Sequence, residues 1–583
     1  MASETRAGTA RFGPFVLDLR SGELQDSRGR QRLGGKAFEA LVLLLERTGE
    51  VVTREELRER LWPSDVFVDF ENNLNATVNQ LRRALEDSAE APRYVETVPR
   101  RGYRLLVPVT LDSAAAPARS PRLVVLPLDD LGDDDANGYF AAGMTEELTT
   151  QLAAVDPERL GVLARTTASR CAVAGKDIAA IGRDLDVEYV IEGSVRRSAE
   201  RVRVSVQLIR TRDETHVWAR SYDAERRDVL ALQEDLARAI ALEIGGAVAV
   251  APARPRVDPD AYDAYLRGQD HARGYDRPGA WEAAIGCYRE AVDHDPRFAR
   301  AWAALALTRA NQAFWGVVPP AAALPAADVE ARRAVELDHL RWEAHNALGW
   351  VQWIHHWDLE GAETSLRRAV ELAPGEPTAR WTLFAFLGSM RGAYDEALAE
   401  AGRALELDPL SPVLRAQVGW VHHWCGRPER AIAHCRSVLA EHPDSVQALH
   451  ILGVASTVTG DHRGAIAACR RACERRHDAF SFGYLAMALG RGGHRREASR
   501  LAGELEARSR AEYVPPVCLV WARLATSDTD GAMAVLERLV ADRDPQALWI
   551  AVSPTYEALR AHPRFARLRG RLPRLPVPAT SRA

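Results

Sequence analysis

Apolar residues recur along this chain with strand and helix periods and then with a longer repeat, and two linkers divide it into three regions. Between residues 11 and 108, short alternating stretches flank helical ones. In "GGKAFEALVLLLERTGEVVTREELRERLW", Phe38, Leu41 and Leu45 share one helical face. Thr53 and Glu56 have the capping-box spacing that opens a second helix, which the pattern carries to about Trp62. A third helix follows in "NLNATVNQLRRALED", where Leu74, Val78, Leu81 and Leu85 fall at i, i+4, i+7 and i+11 and predict a buried stripe. Tyr94 to Thr97 and Tyr103 to Val107 then read as strands joined by a tight turn, Pro99 to Gly102. Residues 11–108 are therefore predicted as one α+β domain, and 109–121, rich in Ala, Pro and Ser, as a linker. From 122 to 250 a buried strand (LVVLPL), helices, two further strands (VEYVIEGSV and RVRVSVQLI) and an amphipathic helix predict an α/β domain, ended by the proline-rich segment Ala251 to Pro259.

From Asp260 onward the strand signals vanish and a period near 34 residues takes over. Ala362, Ala397, Ala431 and Ala465 are separated by 35, 34 and 34 residues. Pro374, Pro409 and Pro443 repeat the spacing in a second register, with His477 at the next proline position. Small residues where helices cross, and a proline closing each unit, resemble the tetratricopeptide repeat, and "YDEALAEAGRALELDP" carries its second-helix pattern. The resemblance implies an all-α solenoid over residues 260–570, with roughly eight helical pairs and an insertion around Gly316 to Pro325. Stacked repeats offer an extended concave surface, so a protein or peptide partner is expected on the array. Twelve of the fourteen tryptophans lie here, among them Trp350, Trp353, Trp357, Trp420 and Trp424, and their helical spacing predicts packing between helices rather than a ligand cage.

The chemistry that can be argued lies in the first region. Opposite its leucine stripe, the third helix carries Asn75, Ala76, Asn79, Gln80, Arg82 and Arg83. Asn and Gln can read adenine edges bidentately, and Arg can read guanine or hold phosphate, so this face suits a major groove. The hairpin after it presents Arg100 and Arg101 at its turn, where they can reach a minor groove or its phosphates. Strands before three helices, followed by "LRRALED…PRYVETVPRRGYRL", resemble the winged helix-turn-helix of OmpR/PhoB-type transcription regulators over residues 11–108. That resemblance implies double-stranded DNA as partner, with Asn73, Asn75, Ala76, Asn79, Gln80 and Arg82 on the reading helix, Arg100 and Arg101 near the wing tip, and Trp62 near the backbone. Where some relatives carry a minor-groove arginine this chain has Pro99, which leaves the role to Arg100 or Arg101. Residues 122–250 resemble a TolB-N/FlgO-like domain, and the order of the three modules is similar to that of CadC-like and HilA-like regulators. The implied architecture is a winged helix-turn-helix (α+β), then an α/β domain, then a tetratricopeptide solenoid.

Composition narrows the function further. The net charge of −5 gives no general attraction to nucleic acid, and residues 11–108 hold sixteen basic and sixteen acidic groups. Between Asn72 and Arg104 there are six basic against four acidic groups, so positive charge gathers where DNA is expected. The most apolar stretch, Ala40 to Leu45, is cut off by Glu46 and Arg47, and no segment reads as a membrane span or a secretory signal. Seven cysteines without a C-x-x-C pair make no disulfide framework, which leads to the expectation of a cytoplasmic protein. Too few residues precede Arg11 for a phosphorylated receiver, so aspartyl phosphorylation is not the expected switch.

Several patterns imitate sites. Asp133, Asp135 and Asn137 begin like a calcium loop, but its twelfth position is Met144 where a bidentate Glu is required. Gly175-Lys176 lacks the rest of a phosphate-binding loop. Cys469 and Cys473, near His462 and His477, have the spacing of a repeat helix, and His355-His356 and His422-His423 recur in first helices of repeats. No H-E-x-x-H or G-x-S-x-G sequence occurs. The expectation is a transcription regulator that is not an enzyme and needs no cofactor or metal. RNA polymerase and a second copy of the chain are candidate contacts. The competing expectation is an interaction scaffold whose winged helix no longer binds DNA.

Overall fold

The computed structural model describes residues 9–18, 22–26, 29–33, 35–61, 70–112, 121–132, 138–157, 159–198, 200–244, 256–274, 277 and 279–576. Trp62 and the acidic loop 133–137 lie outside the described residues. Residues 1–119 and 120–583 form two compact units.

In the first unit, four short strands, β1 (Thr9–Phe12), β2 (Phe15–Asp18), β3 (Glu23–Asp26) and β4 (Gly29–Arg32), precede α1 (Gly35–Glu46), β5 (Val51–Thr53), α2 (Arg54–Leu61) and α3 (Phe70–Leu85). The hairpin β6 (Val95–Val98) and β7 (Gly102–Leu105) follows, then β8 (Val109–Asp112). The strands build an antiparallel sheet of order β4-β3-β2-β1-β8 and a second of order β5-β7-β6. Part of the segment read as linker is thus ordered: Val109–Asp112 pairs with Thr9–Phe12. The predicted stripe is buried, with Leu74, Leu81 and Leu85 fully enclosed and Val78 nearly so. It packs against Leu41 and Leu45 of α1, Leu57 and Leu61 of α2, and Val95, Tyr103 and Leu105 of the hairpin. Each such side chain contributes about 1.5–3 kcal/mol.

The second unit opens with β9 (Arg122–Val125), β10 (Asp129–Asp130), α4 (Gly138–Val155), β11 (Gly161–Leu163), α5 (Arg165–Val173) and α6 (Ile178–Leu185). Then come the long strands β12 (Tyr189–Arg197), β13 (Arg201–Arg210) and β14 (Thr215–Glu225), and α7 (Val229–Glu243). The sheet order is β11-β9-β12-β13-β14, parallel among the first three and antiparallel after, with β10 also beside β12. Successive residues of β9 enter opposite cores: Leu123 and Val125 meet α4 and α7, and Val124 meets α5 and α6. A strand covered on both faces must be apolar throughout, which explains the run LVV.

Among the described residues, eight helix pairs run from Pro259–Arg273 with Ala280–His294 to Pro516–Ala525 with Thr529–Ala541, followed by short helices to Arg569. The four periodic alanines are fully buried. First helices of the third and fourth pairs end in π-helical turns, Gln352–His356 and Leu387–Arg391. A π turn takes in one extra residue. That extra residue accounts for the 35-residue steps from His339 to Pro374 and from Ala362 to Ala397 in a 34-residue period. Cys469 and Cys473 face the repeat core, where burial pushes the Cys473 thiol up to about 12.

The α/β layer and the repeats share one core, since Tyr262, Tyr265 and Leu266 of the first repeat helix pack with Leu148 and Leu236. Two polar clasps reinforce this. The buried Arg300 meets Glu147 at 2.5 Å and Glu343 at 3.0 Å. The Thr167 hydroxyl donates to Asp408 at 2.7 Å, and the Ala164 N–H to the Leu407 carbonyl at 2.8 Å.

Candidate nucleic-acid interface

Local chemistry starts α2. The Thr53 N–H donates to Glu56 Oε2 at 2.8 Å, and the Glu56 N–H to Thr53 Oγ1 at 3.2 Å, which closes the predicted capping box. Hydrogen bonds from Thr53 hold the Glu56 carboxyl below its ordinary range. Because Thr53 also ends β5, the start of α2 is tied to the hairpin, and the Arg54 N–H donates to the Arg101 carbonyl at 3.1 Å.

The exposed face of α3 carries Asn73, Asn75, Ala76, Asn79, Gln80 and Arg83. Two of the expected readers do structural work. Arg82 is buried at 6% exposure and donates through Nη2 to the Val95 carbonyl and to Thr97 Oγ1, both at 2.8 Å. It pins α3 to β6, and its removal from the reading face corrects the expectation drawn from the sequence. The reason is helical phase: Arg82 lies four residues after Val78 and three before Leu85, on the buried side. Asn75 stays exposed, yet its Oδ1 accepts from the Tyr103 hydroxyl at 3.0 Å, so it braces the helix against β7.

Asp87, which the sequence pattern did not single out, organises the junction. Glu86 ends α3 in the left-handed region at φ 48°. The Asp87 carboxylate then accepts from the N–H groups of Ser88, Arg93, Tyr94 and Val95 at 2.7–3.1 Å. Burial opposes its ionisation, but these four donors prevail and hold its pKa below the ordinary carboxylate value.

The hairpin tip is a type II turn. The Arg101 N–H donates to the Val98 carbonyl at 3.1 Å, Pro99 supplies the first central residue, and Arg100 takes the second with φ 61°. Glycine is the usual occupant there, and an arginine in the left-handed region costs about 1–2 kcal/mol. A strained arginine at an exposed tip is a feature to be explained by use. Gly102 next to it is obligatory, because a Cβ would sit 1.9 Å from the Val52 carbonyl oxygen.

The available positive charge is smaller than the sequence count. Arg82 is buried, Arg104 pairs with Glu96 at 2.6 Å, and Arg93 reaches the Tyr94 hydroxyl at 3.3 Å. Arg83, Arg100 and Arg101 remain exposed, with no carboxylate partner among the described residues. The surface therefore combines neutral amides on one helix with three outward arginines.

Residues 29–105 match the family model for transcriptional regulatory proteins, C terminal, and residues 120–239 the model for the second domain of HilA/YgeH-like transcriptional regulators. Over 423 residues the chain is 27% identical to the transcriptional regulator HilA of Salmonella typhimurium, covering 71% of this chain and 72% of that one. It is 37% identical over 194 residues to "Putative adenylate cyclase 3" of Rhizobium meliloti, and so spans about a third (32%) of that relative. Among solved structures, the DNA-binding domain of E. coli CadC is 25% identical over 18% of this chain and 98% of that one, with a TM-score of 0.17. The chain thus joins an OmpR/PhoB-type winged-helix domain to a HilA-like second domain and a tetratricopeptide-like helical array. Among the described residues no helix is long and apolar enough to cross a membrane.

Proposed function

We infer that this chain is a cytoplasmic, non-catalytic transcription regulator whose winged helix binds double-stranded DNA and whose repeat array receives a protein or small-molecule signal. The observation that carries the reading is the exposed amide face of α3 beside a strained, arginine-tipped hairpin, both fixed to one frame by Arg82, Asn75 and Asp87. Asn73, Asn79 and Gln80 supply base readout, and Arg83, Arg100 and Arg101 supply phosphate contact. The likeness to HilA over most of both chains supports the same role. The array is the part left to take an input, and RNA polymerase or a second copy are further contacts consistent with it.

Footprinting the full chain across genomic DNA tests this. A protected site should appear, and Asn79→Ala should lose about 1–3 kcal/mol of discrimination between that site and random duplex while the fold is kept. If affinity falls equally on both duplexes, Asn79 is not a reader. If the full chain shows no salt-dependent retention on any duplex, the scaffold reading takes over.

A further inference from the structure

The repeat array closes on itself. Gln546 Nε2, in the C-terminal helices, donates to the Phe314 carbonyl in the second pair at 3.1 Å, and the Phe314 and Trp549 rings lie 5.0 Å apart. Trp315 meets Phe480 of the seventh pair at 6.5 Å. First helices of successive pairs therefore line a partly open cavity, with Trp549 of the C-terminal helices among its walls.

Eight of the fourteen tryptophans line that cavity. Some do pack as the helical spacing predicts: Trp353 stacks on Trp549 at 5.2 Å, and Trp420 on Trp424 at 5.4 Å. Packing does not consume the space between them, and a cavity of about 130 Å³ remains. An apolar cavity of roughly 150 Å³ takes up benzene, so this volume seats one aromatic ring, and the open side of the cavity leaves room for a fused second ring. The indole N–H groups of Trp350 and Trp353 in this wall find no acceptor among the described residues.

Charge decides the ligand's character. Arg476 and Asp478, the permanently charged pair on the lining, are closed on each other at 2.8 Å. His450 bonds Ser481 at 2.9 Å, and burial lowers its pKa to about 4, so it is neutral at pH 7. Behind the lining residues Ser553 and Thr555, His423 bonds both hydroxyls and is held at about 3 by burial. Indole faces attract cations, but a buried cation would find no uncompensated carboxylate on the lining. The remaining polar groups are amides and hydroxyls, such as Gln417, Gln447 and Thr382.

We propose that this cavity binds an uncharged aromatic molecule of one or two fused rings, stacked on the indole wall and oriented by the amide edge. The proposal deepens, and for its regulatory meaning rests on, the reading of the array as the input of a regulator. Calorimetric titration of the full chain with indole tests it, with tetramethylammonium as the charged probe. Indole should bind with one-to-one stoichiometry and raise the melting temperature, and tetramethylammonium should give no heat. Ala385→Phe, which places a ring in the cavity, should abolish indole binding with unchanged circular dichroism. If that variant does not fold, Trp381→Ala, a partly exposed wall residue, should weaken indole at least tenfold. Absence of indole binding, preference for tetramethylammonium, or equal binding by the variants would each overturn the proposal. Duplex retention measured on the same preparation separates the two readings, since either activity can fail while the other persists.

Discussion

The Asp87 carboxylate accepts four backbone N–H groups, so its protonation should loosen the junction between α3 and the hairpin. Its folded pKa lies below the unfolded value near about 3.9. The stabilisation is therefore complete above the unfolded value and is lost as pH falls through the folded one. Asp87→Asn keeps the shape, removes the charge and turns one accepting oxygen into an NH2 facing two N–H donors, and should cost residues 1–119 about 1–3 kcal/mol at pH 7. Urea denaturation at pH 7 and at pH 3 checks this: the gap between the two proteins should narrow at the lower pH. An unchanged gap would mean that charge is not what the four donors recognise.

Helix α3 and the β6–β7 hairpin form a single element pair in which neighbouring arginines have opposite duties. Replacing both Arg100 and Arg101 with Ala should weaken binding to all duplexes and flatten the dependence of log K on log salt by up to about 2 units, with stability kept. Arg82→Ala should do the reverse, costing about 2–3 kcal/mol of stability and leaving the salt slope of the folded fraction unchanged. Equal slopes for the double variant and the wild type would remove the wing from the interface. The buried stripe of α3 was legible because four apolar residues repeat with the helical period. Arg82 falls at the edge of that stripe, beside Val78 and Leu85, so the period alone does not decide its face; the Val95 carbonyl waiting on the buried side does. Asp87 was illegible because its partners are backbone groups, which every residue has. β5 and β8, at three and four residues, carry too little alternation to be distinguished from their flanks. In the array the period was plain, and its 35-residue steps had a local cause, the π turns, that spacing alone cannot identify.

At the scale of the whole molecule, the division of the chain into two compact units falls between residues 119 and 120, whereas the change from α/β layer to repeats near residue 250 lies within one of them. The core of the first unit is complete in itself, from Phe12 to Leu105. The α/β layer is not complete without the array, because Tyr262, Tyr265 and Leu266 finish its core and Arg300 neutralises the buried Glu147. Removing one partner of a buried ion pair costs about 3–5 kcal/mol, in addition to the exposed apolar surface. A fragment of residues 1–119 should therefore fold and retain its DNA site with the affinity of the full chain, yet lose the response to the inducing condition in cells. A fragment of residues 1–250 should keep the same DNA affinity while its last 130 or so residues are open to protease and prone to aggregate. Limited proteolysis followed by footprinting distinguishes these outcomes. If residues 120–250 resist protease in the shorter chain, the layer is an independent domain and its union with the repeats is an assembly of separate parts. If the fragment 1–119 still responds in cells, the array is not the input.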